Sequence, residues 1–160
     1  MDYLRRNLEP MLELIEKLVN IDSGSTCKTG VDKIGEILIN EYKQMDLSIE
    51  IKENEEFGNN IVIKHKEALK PEILLIAHMD TVFPIGTAAE RPFTIKDGLA
   101  FGPGVADMKA SQVTLLYAMK YLYEKNDAAL KNVIIILNSD EEIGSPTSRE
   151  LIEEISKEVK

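Results

Sequence analysis

Ionisable side chains directly follow two apolar segments that are typical of buried strands. The apolar run 73–77 leads into His78-Met79-Asp80, and the apolar run 133–137 leads into Asn138-Ser139-Asp140-Glu141-Glu142. In open α/β sheets, ligands bind beyond the carboxyl ends of the strands. We therefore expect both strand ends to face one crevice that holds a histidine and several carboxylates. Each end taken alone also fits a simpler alternative, in which acidic residues terminate a strand at water.

His78 and Asp80 are two positions apart, so both side chains face the same side if the strand continues through them. A metal-bound histidine usually donates its other ring N–H to a carboxylate. His78 could therefore bind a metal ion while Asp80 fixes the tautomer of its ring. The alternative is a strand-end histidine that is hydrogen-bonded to a nearby aspartate and binds no metal.

The adjacent residues Glu141 and Glu142 need not point the same way, which allows them two different roles. One could bind a metal ion while the other accepts a proton from a water molecule, as metal-assisted hydrolysis requires. The alternative is an acidic approach to a helix N-terminus, which the helix dipole favours.

Asp107 lies in the segment Phe101-Gly102-Pro103-Gly104-Val105-Ala106-Asp107-Met108-Lys109, just before a predicted helix. It could cap that helix, as aspartate often does, or its two oxygens could bridge a pair of cations about 3.5–4 Å apart. Histidine and carboxylate ligands without a thiolate suit Zn²⁺, and Mn²⁺ or Co²⁺ are also possible.

The elements that must position these residues alternate between helices and strands. Helical spacing of apolar residues predicts a helix from Leu8 to Val19, and others near 31–45, 108–122 and 145–159, the last beginning at Ser145-Pro146. Strands are expected at 47–51, 61–63, 73–77 and 133–137, the last two covered on both faces, with a short hairpin near 93–101. We predict an α/β fold: a three-layer αβα sandwich with a mixed, mostly parallel central sheet.

Composition excludes several classes of protein. The 160 residues are 44% hydrophobic and 29% charged, which is typical of a globular domain and not of a disordered chain. The net charge of −9 disfavours nucleic acid and anionic lipid as partners. The single cysteine, Cys27, and the absence of an apolar leader in MDYLRRNLEP predict a cytoplasmic protein that does not associate with a membrane.

Four ordered motifs together resemble the M20 family of co-catalytic zinc metallopeptidases, in particular its glutamate carboxypeptidase (carboxypeptidase G2-like) branch. They are His78-Met79-Asp80-Thr81-Val82-Phe83-Pro84, Arg91-Pro92-Phe93, the segment from Gly102 to Lys109, and Asp140-Glu141-Glu142-Ile143-Gly144-Ser145. The likeness extends from about Leu12 to the end of the chain, and four motifs in order are far more specific than any one of them.

The resemblance implies a role for each of these residues. His78 would bind one zinc ion, Glu142 the other, and Asp107 both, with a cis peptide bond between Asp107 and Met108. Glu141 would be the general base that activates a bridging water, and Asp80 would support His78. The implied reaction is hydrolysis of a C-terminal peptide bond or of an N-acyl amino-acid amide bond, in a small substrate that carries a free carboxylate.

The resemblance also implies that residues 1–160 are the N-terminal portion of the catalytic domain. Family members continue with further zinc ligands and with a lid and dimerisation domain, none of which is present here. We therefore expect two zinc ions for a complete site but only partial occupancy, and little or no hydrolysis, for this fragment alone. Strand edges left uncovered would favour self-association. The alternative is a non-catalytic, truncated metal-binding or interaction module.

Overall fold

The computed structural model describes residues 2–68 and 70–159. The helices are α1 Asp2–Arg6, α2 Leu8–Val19, α3 Lys28–Tyr42, α4 Thr87–Glu90, α5 Ala110–Glu124 and α6 Arg149–Ser156. The strands are β1 Leu47–Lys52, β2 Asn60–His65, β3 Ile73–His78, β4 Thr94–Lys96, β5 Leu99–Phe101 and β6 Val133–Asn138. Short helical turns cover Ala128–Asn132 and Glu141–Ile143. The α/β class and the β4–β5 hairpin are as predicted.

The central sheet has the strand order β1-β2-β6-β3. The β1–β2 and β2–β6 pairs are antiparallel, and the β3–β6 pair is parallel. The sheet is therefore mixed, as predicted, but the expectation that it is mostly parallel is wrong for the described strands. The physical reason lies in the connections: a short loop joins β1 to β2 and permits only an antiparallel return, whereas α5 lies in the crossover from β3 to β6.

Helices lie on both faces of this sheet, which gives three layers. One face packs against α2, α3 and α5, whose contacting side chains include Leu18, Ile34 and Leu116. The other face packs against α6 through Ile155. The central strand β6 is buried along its whole length because it receives helices on both faces and strands on both sides, as its continuous apolar run predicts.

Strand β3 differs from this expectation. It pairs with β6 on one side and has no strand neighbour on the other among the described residues. Ile73 is 48% exposed and Ile76 is 45% exposed, so the prediction of a strand covered on both faces is wrong. An apolar run does not distinguish a central strand from an edge strand, because the apolar side chains do not report how many strand neighbours a segment has.

The last helix begins later than the sequence predicts. Helix α6 starts at Arg149 with Ser148 as its N-cap, and Ser145 has a left-handed backbone with φ +57°. The carboxylate of Asp140 accepts hydrogen bonds from the main-chain N–H groups of Thr147 and Ser148 and from both of their hydroxyls. These four bonds hold the chain in a loop where the prediction placed the first helical turn at Ser145-Pro146.

Among the described residues, no helix combines the length and the apolar character that crossing a bilayer requires.

The unpaired edge of β3 allows the prediction of self-association to be tested. We expect the wild-type chain to self-associate at high concentration, because an uncovered strand edge offers unpaired main-chain groups. Ile76→Lys should shift the chain towards monomer, since a lysine on an edge strand opposes pairing. Light scattering coupled to size exclusion measures the mass. Ile85→Lys is the matched control, because Ile85 is 74% exposed but lies in a loop. A wild-type chain that is monomeric at high concentration would contradict this prediction.

Candidate metal centre at the strand ends

The parallel pairing of β3 and β6 brings the two predicted motifs to the same edge of the sheet. His78 is the last residue of β3 and lies opposite Asn138, the last residue of β6. The turn Glu141–Ile143 follows β6 directly. One ligand atom from each of His78, Asp107 and Glu142 lies within 4.8 Å of the others, although the three residues come from distant parts of the chain.

The two ring nitrogens of His78 face different surroundings. Nδ1 lies 3.0 Å from the main-chain carbonyl oxygen of Asp80 and 3.4 Å from its carboxylate. Because a carbonyl only accepts hydrogen bonds, Nδ1 carries the proton and donates it. Nε2 lies 3.0 Å from Asp107 Oδ1 and 3.9 Å from Glu141 Oε2. The nitrogen without an obligatory proton therefore points at the candidate ligands.

Asp80 is fully buried and links the first motif to the last one. Its Oδ2 accepts a hydrogen bond from the Ser25 hydroxyl at 2.6 Å and another from the main-chain N–H of Glu142 at 3.1 Å. Its Oδ1 accepts the main-chain N–H of Glu141 at 3.2 Å. The tautomer of His78 is thus defined by the main chain of Asp80 as well as by its carboxylate, whereas the sequence pointed to the carboxylate alone.

Asp107 lies in an irregular segment, Val105–Lys109, between the Gly104 turn and α5. The peptide bond between Asp107 and Met108 is cis, as the resemblance implies. The N-cap of α5 is Lys109, so Asp107 does not cap this helix. Its side chain is 75% exposed and turns towards His78. Gly104 is needed here because its φ is +73° and because a Cβ would collide with Thr81.

Glu141 and Glu142 lie in the short turn after β6, well before α6 begins at Arg149. No helix begins directly after these two residues, so the alternative that they approach a helix N-terminus does not apply. Glu141 is 53% exposed and reaches towards His78. Glu142 is half-buried and lines a cleft of about 380 Å³, together with Phe83 and Ile143. The two side chains thus differ in exposure.

The pKa values of these groups follow from the crowding of charge. Burial by itself lowers the pKa of His78, but hydrogen bonds to Asp80 and Asp107 overcome this and raise it to about 9. Burial also raises the pKa of Glu142, and Asp107, Asp80 and Glu141 raise it further, against the opposing effect of His78. Burial would raise the pKa of Asp80, but hydrogen bonds from His78 and Ser25 hold it below its usual value. A cation between these carboxylates would relieve their repulsion.

Sequence reasoning did not identify several residues that support the site. Gln112 donates a hydrogen bond to the main-chain carbonyl of His78, and Ser25 holds Asp80. Asp140 was noted at a strand end without the loop-forming role described above. Lys109 is 1% exposed, and burial lowers its pKa to about 8. The motif from Gly102 to Lys109 contains Lys109 but gave it no role, and neither Lys109 nor Gln112 could be paired from the sequence because their partners lie 88 and 34 positions away.

Comparisons with known proteins show which proteins this chain is similar to. A family profile described as "Peptidase family M20/M25/M40" matches residues 74–160. The chain is 35% identical over 149 residues to carboxypeptidase G2 of Pseudomonas sp. (strain RS-16). This match covers 92% of this chain and 36% of that protein. It is 31% identical over 155 residues to succinyl-diaminopimelate desuccinylase of Buchnera aphidicola, covering 94% and 39% respectively.

The fold is also similar to a solved structure. The crystal structure of human carnosine dipeptidase 1 superposes with a TM-score of 0.79 at 16% identity, and the match covers 96% of this chain and 36% of that one. The chain therefore spans a little over a third of the length of the relatives that it matches.

The raised pKa of His78 gives a pH-dependent stability. Because the folded value of about 9 lies above the ordinary 6.5, the protonated ring stabilises the metal-free fold. This stabilisation is fully present below pH 6.5 and is lost as the pH rises through 9. Titration by NMR of the metal-free protein should show the His78 ring titrating near pH 9, with His65→Gln used for assignment. A His78 pKa at or below 6.5 would contradict the hydrogen bonds of its ring to Asp80 and Asp107.

Asp80→Asn should destabilise the fold strongly. The amide turns an N–H₂ donor towards groups that themselves donate, and it leaves buried donors without a partner. Removing one partner of a buried charged network costs about 3–5 kcal/mol. Urea unfolding at pH 7 without metal measures the change. Asp97→Asn, in the exposed turn between β4 and β5, is the control and should change stability by less than about 0.5 kcal/mol. Equal stability of the two variants would show that Asp80 does not hold the site together.

Proposed function

Because this chain belongs to peptidase family M20/M25/M40, we propose that it carries part of the active site of a metal-dependent amide hydrolase. The reaction would be cleavage of a C-terminal peptide bond or of an N-acyl amino-acid amide bond. The observation that carries the proposal is the convergence of ligand atoms from His78, Asp107 and Glu142 within 4.8 Å. Relatives named as a carboxypeptidase and as a desuccinylase support this class of reaction.

The residues present fit a divalent cation. They offer one imidazole nitrogen and two carboxylates without a thiolate, which suits zinc, with manganese or cobalt as further candidates. Two ligands of a tetrahedral zinc ion lie about 3.4 Å apart when each bond is about 2.1 Å. The 3.0 Å between His78 Nε2 and Asp107 Oδ1 is close to this value. The raised pKa of Glu142 is further support, because the neighbouring carboxylates that contribute to it would attract a cation.

Each residue has a role in this proposal. His78 and Glu142 would each hold one of two metal ions, and Asp107 would contact both. When bound, the metal would polarise the scissile carbonyl and lower the pKa of water. Glu141, which is 53% exposed towards the crevice, would accept the proton of the attacking water. The same carboxyl group would then give that proton to the leaving amine as the C–N bond breaks. Asp80 would keep Nε2 of His78 free for the metal by holding the proton on Nδ1.

Three side chains are few for two metal ions, since a catalytic zinc normally has three protein ligands of its own. We therefore expect these 160 residues by themselves to bind metal weakly and to turn over little or no substrate.

The substrate in this proposal is a small peptide or an acylated amino acid with a free carboxylate, and the protein acts in the cytoplasm. An anionic substrate is compatible with the net charge of −9, because two divalent cations would offset the negative charges of the carboxylates at the site.

The adjacent glutamates provide a matched test. Glu142→Gln should weaken metal binding by at least about tenfold, because loss of a ligand should cost no less than loss of a group that merely supports one. Glu141→Gln should leave metal affinity unchanged and abolish turnover in a form of the protein that is active. Calorimetric titration with Zn²⁺ at constant pH measures the affinity, and release of free amino acid from an N-acyl substrate measures turnover.

If the two substitutions changed metal affinity equally, the assignment of Glu142 as a metal ligand and Glu141 as the general base would be wrong. Turnover that survives in Glu141→Gln would refute the assignment of the general base. A wild-type chain without affinity for Zn²⁺, Mn²⁺ or Co²⁺ would refute the metal centre itself.

A further inference from the structure

Lys109 is a buried cation that the proposed chemistry does not use. Its side chain is 1% exposed, and lysine is almost never fully buried unless its charge is paired. Its Nζ donates a hydrogen bond to the main-chain carbonyl of Ile21 at 2.9 Å. This neutral carbonyl and the charge of the Asp22 carboxylate, which is not in direct contact with Lys109, compensate only part of the cost of burying an ammonium group, because burial still lowers the pKa of Lys109. A residue that costs stability in this way calls for a role other than stabilising the fold.

The segment Ile21–Ser25, which we call the clasp loop, is bonded at several points to residues that follow β3 in the chain. The carbonyl of Ser23 accepts the main-chain N–H of Thr81 at 2.9 Å. The Ser25 hydroxyl donates to Asp80 at 2.6 Å. The carboxylate of Asp22 accepts the main-chain N–H groups of Gly86 and Ala88 at 2.8 and 2.9 Å. The clasp loop is therefore hydrogen-bonded to residues between 80 and 88, the segment that directly follows the strand carrying His78.

Lys109 links two segments: its main chain belongs to the Asp107 segment, Val105–Lys109, and its side chain reaches the clasp loop. Its main-chain N–H donates to the carbonyl of Gly104 at 2.9 Å and closes the turn around Asp107. Its side chain passes close to Gly104, where an added Cβ would lie 3.4 Å from Lys109 Cδ. Its Nζ then reaches Ile21. One side chain thus connects the Asp107 segment to the loop that is bonded to the residues following β3.

We propose that Lys109 is a positioning residue for the candidate metal centre. By fastening the Asp107 segment to the clasp loop, it holds the Asp107 carboxylate against His78 Nε2, at the 3.0 Å separation described above. The inference rests on the proposed function in one respect, namely that Asp107 binds metal.

Lys109→Met tests this role because methionine fills the same space without the donor. Lys109→Met removes the cost of burying an ammonium group, and this gain offsets the loss of the hydrogen bond to the Ile21 carbonyl. We therefore expect Lys109→Met to unfold in urea at the wild-type concentration or above. Its affinity for Zn²⁺ should fall by about 10–100-fold, the range for groups that orient a ligand. Lys120→Met is the matched control, since Lys120 lies on α5, pairs with Glu41 at 2.7 Å and has no contact with the site.

A purely structural role predicts a different pattern. A Lys109→Met protein that binds Zn²⁺ as tightly as the wild type would overturn the proposal. So would a variant that is unfolded, because Lys109 would then act through the stability of the fold. Loss of affinity in Lys109→Met with wild-type stability, and unchanged affinity in Lys120→Met, would support it.

A metal-free measurement separates this inference from the proposed function. If the wild-type chain binds no metal, the metal centre fails, and the positioning role is judged by amide hydrogen exchange. Lys109→Met should then raise the exchange rates of the amides of residues 105–109 and of Thr81 by at least about tenfold relative to Lys120→Met. The reason is that local opening of the structure governs amide exchange. Equal exchange in the two variants would overturn the proposal.

Discussion

The buried carboxylate of Asp80 is the constraint on which the site depends. It has no exposure to water, so its charge persists only because donors surround it. Those donors are the Ser25 hydroxyl, the main-chain N–H groups of Glu141 and Glu142, and the ring of His78. Three separate parts of the chain must therefore be in place together. The same contacts that compensate the buried charge also set the distance between the histidine and the two glutamates.

The rest of the arrangement follows from how strands and loops meet at this carboxylate. Parallel pairing of β3 and β6 ends both strands at one edge, and Asp140 shapes the loop beyond β6 so that the turn 141–143 lies over the strand ends. The third candidate ligand, Asp107, comes from an irregular segment that is not part of a strand. Its position depends on Gly104, where only a residue without a side chain fits, and on the side chain of Lys109.

Much of the fold could be predicted from local pattern. The helix Leu8–Val19 and the buried strand Val133–Asn138 follow from the spacing of their apolar residues. The errors have two causes. The exposure of Ile76 and the antiparallel pairing of β2 with β6 depend on strand neighbours that are distant in the sequence. The late start of α6 depends on hydrogen bonds to the Asp140 carboxylate from residues seven and eight positions away. The apolar pattern of a segment indicates that it is a strand but not which strands flank it.

For the candidate site, the sequence by itself determined which ionisable side chains are available. It showed that one histidine and a small set of carboxylates follow two apolar strands, and its ordered motifs indicated the family, which the family profile confirms over residues 74–160. Only the tertiary structure decided which of these groups meet. His78 and Asp107 are 29 positions apart, and Asp80 and Glu142 are 62 apart, yet each pair is in direct contact. Residue spacing determines the direction of a side chain within its own element, whereas contact between elements is decided by how the sheet, the clasp loop and the buried charges pack together.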